Sequence, residues 1–206
     1  MPLKSQLLIA TNNPHKLEEF EEIFAPLPIT VTYPAAEGIE LEPAEIGLTF
    51  DENAIIKALA FAAVTALPVL ADDSGLEVDA LGGEPGIYSA RYGNTAKLDY
   101  VGRYRLVLDK LAAKNVPWDE RTARFRCVIA LAQQGQLLGT VEGRVEGIIA
   151  YAPKGSGGFG YDPVFFIPEV NQTMAELDSA QKHRVSHRGR AARAAIPLIE
   201  QLIQKS

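Results

Sequence analysis

The chain has 206 residues, 47% hydrophobic and 22% charged, which suits one domain, or two lobes around one core, rather than several independent modules. A formal charge of −6 argues against a general nucleic-acid binder, and the single cysteine, Cys127, rules out an internal disulfide. No apolar run reaches the ~20 residues of a membrane span and Gln6–Ala10 is too short for a secretory leader, so a cytoplasmic protein with no membrane partner is expected.

Leu7-Leu8-Ile9-Ala10 reads as a buried strand, followed at once by polar Thr11-Asn12-Asn13 and then Pro14. Asn13 can cap a helix whose first residue is Pro14. Leu17, Phe20, Ile23 and Phe24 recur at helical spacing, which puts Glu18, Glu19, Glu21 and Glu22 on the wet side. A strand over Ile29–Tyr33 and a loop rich in Pro, Gly and Glu come next. Thr49-Phe-Asp-Glu52 has the form of a capping box opening a helix that runs to about Ala66. Pro68–Ala71 is a buried strand that delivers Asp72 and Asp73 to its carboxyl end, where open α/β sheets place their ligand sites. Residues 82–95 read as loop and roughly 95–114 as helix. Thr122–Gln133 and Gln136–Gly147 alternate as paired strands joined around Gly135. Cys127 falls inside the first of them, as inert core filler. Ser186 can cap a last helix to about Gln204, with Pro197 kinking it. With no repeat, low-complexity tract or linker, the expectation is one compact α/β unit, 1–206, with a mixed sheet.

Four polar stations stand out of this apolar frame: Thr11 to Lys16, Asp72 to Gly75, Phe159 to Asp162 and Lys182 to Arg188. A strand, polar turn and helix start make an anion site, because unpaired backbone N–H groups and the helix dipole both favour negative charge. Lys16 lies in that first turn, where the dipole disfavours a cation unless an anion is near. The plain alternative is an ordinary capped helix. Lys57 is the only charged residue between Ala54 and Leu70, on a helix apolar around much of its circumference, so its ammonium must snorkel to water or meet a counter-ion. Asp72-Asp73-Ser74-Gly75 offers hard oxygen ligands suited to Mg²⁺, or else a simple turn. If the strand stays extended through both aspartates, their side chains point to opposite faces. Gly155-Ser-Gly157-Gly-Phe-Gly160 has GxGxxG spacing but the extended, proline-bounded Tyr161–Pro168 follows where a helix should, so a loop presenting Phe159 and Asp162 fits better than a dinucleotide fold. No Walker-type sequence occurs. Lys182, Arg184, Arg188, Arg190 and Arg193 crowd one short stretch with two of the three histidines, a distribution suited to a small anionic ligand.

The segments ATNNPHKLEEF, GLTFDENAIIKA, ADDSGLEVDALGGEPGIYSARY, GGFGYDPVFF and TMAELDSAQKHRVSHRGRA resemble, in order and spacing, the inosine triphosphate pyrophosphatase family, across essentially the whole chain. The resemblance implies an elongated two-lobed α/β fold with a mixed sheet and a central cleft. It also implies a homodimer and Mg²⁺-dependent conversion of the noncanonical purine nucleotides ITP, dITP and XTP to monophosphate and pyrophosphate. Carried over by residue, Thr11, Asn12, Asn13 and Lys16 would hold phosphates, Glu45 and Asp73 the metal, and Asp73, with Lys57 beside it, the activation of water. Ser74, Phe159, Gly160, Tyr161, Asp162, Lys182, His187 and Arg188 would complete the substrate site. His183 departs from the pattern, since many relatives carry Asn after the lysine.

Hydrolysis between the α and β phosphates needs an in-line water, a metal to neutralise the departing pyrophosphate, and cations on the nonbridging oxygens. Base choice is separate. A 6-oxo purine offers an acceptor at O6 and a donor at N1, adenine reverses the pattern, and such mismatches can discriminate by about 10⁴-fold. Ser186-His187-Arg188, at a helix start, is the expected reader of O6, with Arg188 the stronger donor; if Arg188 binds phosphate instead, backbone near Phe159 is the alternative. Two rivals stand beside this reading: a pyrophosphatase for modified pyrimidine or methylated nucleotides, and a catalytically silent nucleotide-binding protein.

Overall fold

The structure, a computed structural model, describes residues 5–96 and 99–203; the expected helix end at Gln204 lies outside them. β1 (Ser5–Ile9) leads through α1 (Pro14–Phe24) to β2 (Ile29–Thr32), and α2 (Phe50–Ala62) leads to β3 (Val69–Val78). β1 pairs in parallel with both strands, Leu7 opposite Val31 and Leu8 opposite Val69. α3 (Tyr100–Ala113) precedes the hairpin β4 (Thr122–Gln133) and β5 (Gln136–Ile149). Gln134 and Gly135 join these strands with both φ values positive, as a two-residue hairpin turn requires. β6 (Phe165–Ile167) pairs antiparallel with β5 and with β7 (Gln172–Thr173). Among the described residues the strands form one mixed sheet in the order β2-β1-β3-β4-β5-β6-β7. α4 (Ser179–Val185) and α5 (His187–Ile203) close the chain.

The chain packs as two compact units, one from the described parts of Met1–Asp73, Cys127–Gly143 and Arg188–Ser206, the other from Ser74–Arg126 and Arg144–His187. Each has its own apolar core. In the first, Leu7 and Ile9 of β1, Phe20 and Phe24 of α1, Cys127, Ile129 and Leu131 of β4 and the alanine face of α5 pack together. The α5 face consists of Ala191, Ala192 and Ala195, and such small side chains let a helix lie close on a sheet. In the second, Leu76 and Val78 of β3 join Phe125, Val145, Ile149, Phe165 and Val107 and Leu111 of α3.

Several boundaries differ from expectation for local reasons. α2 ends at Ala62, not Ala66, because the Thr65 hydroxyl takes the Leu67 N–H (3.2 Å) and Pro68 opens the next strand. Thr49 caps α2 as half of a capping box: its hydroxyl accepts Glu52 N–H, but the Glu52 carboxylate accepts from Leu48 N–H instead of returning to Thr49. Residues Gly86–Asn94, expected as loop, form a 3-10 segment kinked at Arg91 to Gly93. The last helix does start where expected: Ser186 is extended (φ −69°, ψ 158°) directly before α5, which continues through Pro197, and the short α4 ahead of it is the added element.

Candidate active site

The largest departure concerns Asp72-Asp73-Ser74-Gly75. It is neither a turn nor a strand end but the middle of β3, with β1 and β4 as neighbours. The strand remains extended, so successive side chains alternate, and the two aspartates have separate partners. Asp73 accepts from Lys57 Nζ at 2.8 Å and from the Asn53 amide at 3.4 Å. Asp72 accepts from Lys16 Nζ at 2.8 Å, with Arg188 Nη2 at 3.5 Å and the Cys127 thiol at 3.7 Å from the same oxygen.

Lys57, isolated in an apolar helix, meets its counter-ions: Asp73 Oδ1 at 2.8 Å and Glu45 Oε1 at 2.9 Å. Two carboxylates on one ammonium form a compact polar centre within the first unit. Gly47 lets the loop carrying Glu45 approach α2. A Cβ there would lie 2.7 Å from Asn53 Oδ1, the atom that accepts the Gly47 N–H at 2.8 Å. Burial acts on both Lys57 and Asp73. It disfavours the Lys57 ammonium, but Asp73, Asp72 and Glu45 outweigh it and raise the lysine above its ordinary value. Asp73 is raised by burial despite Lys57 and Lys16, with Glu45 adding to the rise. Burial alone would raise Asp72 too, but Lys16, then Arg188 and Lys57, hold it well below the usual carboxylate range.

At the β1–α1 turn, Asn13 accepts His15 N–H at 3.0 Å as the helix cap, and the Thr11 hydroxyl accepts Asn13 N–H at 3.2 Å. Two of the backbone donors expected for an anion are thus held by these side chains. Asn12 is exposed, whereas Lys16 is half-buried on Asp72.

The second unit gathers the later stations. Lys182 of α4 is buried with Nζ 2.7 Å from Asp162 Oδ2 and 5.0 Å from the centre of the Phe159 ring. The same Asp162 oxygen accepts the Phe159 N–H at 2.9 Å. Asp162, expected to be presented by a loop, is therefore buried as the anchor of that loop. Gly158 lies over the pair at φ +68°, where a Cβ would strike the Asp162 carboxylate. Gly160 is also left-handed, at φ +67°, and Tyr161 is buried with its hydroxyl on Ser89 O at 2.8 Å. His187 is buried and stacks on Phe125, centroids 4.5 Å apart and planes 10° apart. Ser74 is half-buried on β3, and His183 Nε2 lies 3.0 Å from the Ser179 hydroxyl.

In the first unit, Arg188 is 2% exposed and donates to Glu19 Oε2 at 2.5 Å. Glu19 is thereby a correction: it is buried, not on the wet face of α1, because Arg188 neutralises it. Sequence reading also missed Asn53. Its spacing of one helical turn from Lys57 is the available signal, since residues at i and i+4 share a face.

The sequence profile of the Ham1 family matches residues 7–198. The chain belongs to the Ham1 family. It is 46% identical over 201 residues to the dITP/XTP pyrophosphatase of Desulforamulus reducens, covering 96% of each chain. To the protein of the same name from Bacillus subtilis strain 168 it is 46% identical over 200 residues, 97% of this chain and 100% of that one. The structure of the Staphylococcus aureus Ham1 protein superposes with a TM-score of 0.83 at 39% identity, over 96% of this chain and 99% of that one. Ham1 membership agrees with the family resemblance of the five sequence segments and with the mixed α/β fold class.

Proposed function

We propose that residues 1–206 act as one catalytic domain that hydrolyses the noncanonical purine nucleotides ITP, dITP and XTP to monophosphate and pyrophosphate, clearing them from the cytoplasmic nucleotide pool. The observation that carries the reading is the convergence of Asp73 and Glu45 on Lys57, in a chain nearly half identical to proteins named dITP/XTP pyrophosphatase. No helix among the described residues is long and apolar enough to cross a membrane.

Roles divide by unit. In the first, Thr11, Asn12, Asn13 and Lys16 hold phosphate oxygens. Asp73 orients the attacking water and takes its proton at a carboxylate oxygen, and its raised pKa makes it the better acceptor. Lys57 holds Asp73 and Glu45 close despite their like charge and supplies positive charge as the leaving group forms. In the second unit Phe159 offers a ring face to the base, fixed by Asp162 and Lys182, with Ser74, Gly160, Tyr161 and His187 completing the substrate contacts. Arg188, paired to Glu19 and Asp72, is the proposed donor to O6.

The donor set fits a divalent metal. Asp73 and Glu45 already direct hard oxygens at one cation, and Mg²⁺ ordinarily enters with substrate phosphates and one or two carboxylates. Bound by Asp73 and Glu45, Mg²⁺ would neutralise charge gathering on the departing pyrophosphate.

Product analysis over a nucleotide panel tests the proposal. ITP should give IMP and pyrophosphate, chelation should stop the reaction, and ATP should be a poor substrate. IDP and orthophosphate as main products would make this a different phosphohydrolase, and binding without turnover would favour the silent rival.

A further inference from the structure

We propose that Asp72 is a positioning residue that acts through Lys16, as the hub of an ion-pair chain Lys16–Asp72–Arg188–Glu19, and is not a metal ligand. The inference deepens the pyrophosphatase reading, on which it rests for taking a polyphosphate as the ligand of Lys16.

Three donors converge on Asp72 Oδ2: Lys16 Nζ, Arg188 Nη2 and the Cys127 thiol. Arg188 reaches on to Glu19, which lies on α1 only one turn beyond Lys16. The chain of charges therefore returns to the helix from which it began. Two acids balance two bases, so the negative charge of Asp72 is already matched without a metal, whereas Asp73 and Glu45 share the single cation Lys57. Asp72 is 4% exposed and belongs to an interior strand, so its carboxylate is a fixed point. Lys16 is the opposite: a flexible stem at a helix start, where the dipole disfavours its charge. An ammonium has three donors. One on Asp72 sets the direction of the stem and leaves the others to meet phosphate oxygens. Arg188 and Cys127 in turn keep the carboxylate from following the lysine.

The alternatives predict opposite signs. Removing a negative charge beside an anion site strengthens anion binding if only Coulomb attraction matters. Loss of a positioning contact weakens it. The probe is inorganic tripolyphosphate, titrated by calorimetry into wild type, Asp72→Asn, Lys16→Met and the double variant. Asp72→Asn should bind about tenfold more weakly, the worth of one charge-assisted hydrogen bond. The double variant should bind no more weakly than Lys16→Met, because Asp72 acts only through Lys16. In turnover of dITP the KM should rise about tenfold while the Mg²⁺ concentration for half-maximal rate stays unchanged. Unchanged or tighter tripolyphosphate binding, additive losses, or a shifted Mg²⁺ midpoint would each overturn the proposal. Should Asp72→Asn fail to fold, Asp72→Glu keeps the counter-charge for Arg188 but displaces the carboxylate that aims Lys16, and should bind tripolyphosphate more weakly than wild type; wild-type or tighter binding overturns the proposal equally. If wild type fails to release pyrophosphate from dITP, the hydrolysis reading falls, while the tripolyphosphate titration still decides the role of Asp72.

Discussion

Removing the charge of Asp73 while keeping its shape tests the chemistry directly. Asp73→Asn should lower kcat by about 100-fold or more, the lower range for loss of a general base, with a near-native melting temperature and retained nucleotide affinity. Asn53 and Lys57 remain to surround the amide, and Glu45 still pairs with Lys57. Wild-type turnover in the folded variant would move the base elsewhere. Arg188 calls for a different design. Truncating it leaves Glu19 and Asp72 buried without their cation, so Arg188→Ala should lose about 3–5 kcal/mol in denaturant unfolding. Base selectivity is better read in folded Arg188→Lys, which keeps the charge but not the planar fork. If Arg188 reads O6, the ratio of ITP to ATP catalytic efficiency should fall. Parallel losses would place base recognition on backbone near Phe159.

At the level of elements, helices with a cap and an apolar period were legible: Asn13-Pro14 fixes the start of α1, and Thr49 that of α2. The β4–β5 hairpin followed from alternation around Gly135. The middle of β3 was not legible, because Asp, Ser and Gly favour turns locally and only neighbouring strands hold them extended. α4 was missed because seven residues are too few to show a helical period. Site residues were visible as charges in apolar surroundings, Lys57 above all. Their partnerships were not, since Glu19 meets Arg188 from 169 positions away. The second unit has its own surface ladder across β3, β4 and β5: Arg124 meets Asp79 at 2.8 Å, Glu146 at 3.2 Å and Glu77 at 3.8 Å. Arg124→Met should destabilise the protein by on the order of 1 kcal/mol at pH 7 and low salt, as expected for a network rather than a lone surface pair. Its hydrogen bonds hold the Asp79 carboxyl below the ordinary value of 3.8. That contribution is complete above the unfolded value and is lost as pH falls through the lowered folded value. The difference in melting temperature between wild type and variant should therefore shrink below about pH 4. A difference independent of pH and salt would assign the effect of Arg124 to packing.

On the scale of the whole molecule, assembly is the property that one chain displays least. Tyr88 is 56% exposed, and the Arg91 guanidinium lies over its ring, 5.3 Å from the centroid. Tyr and Arg are the residue types enriched where protein surfaces meet, and such a pair is already stiffened for contact. Tyr92, the residue after Arg91, is buried, with its hydroxyl on Glu84 at 2.6 Å, and so anchors the exposed pair to the second unit. A two-fold dimer would use this patch twice, since an isologous interface presents the same surface from both copies. We therefore predict that light scattering at micromolar concentration gives a particle of twice the 22.3 kDa chain mass. Tyr88→Ala combined with Arg91→Ala should shift it to monomer on dilution while leaving the melting of the second unit nearly unchanged, because neither side chain belongs to its buried core. A monomeric wild type would refute the dimer. A dimer indifferent to the double substitution would keep the assembly but place its surface elsewhere, the first alternative being the exposed aromatic pair Trp118 and Tyr151.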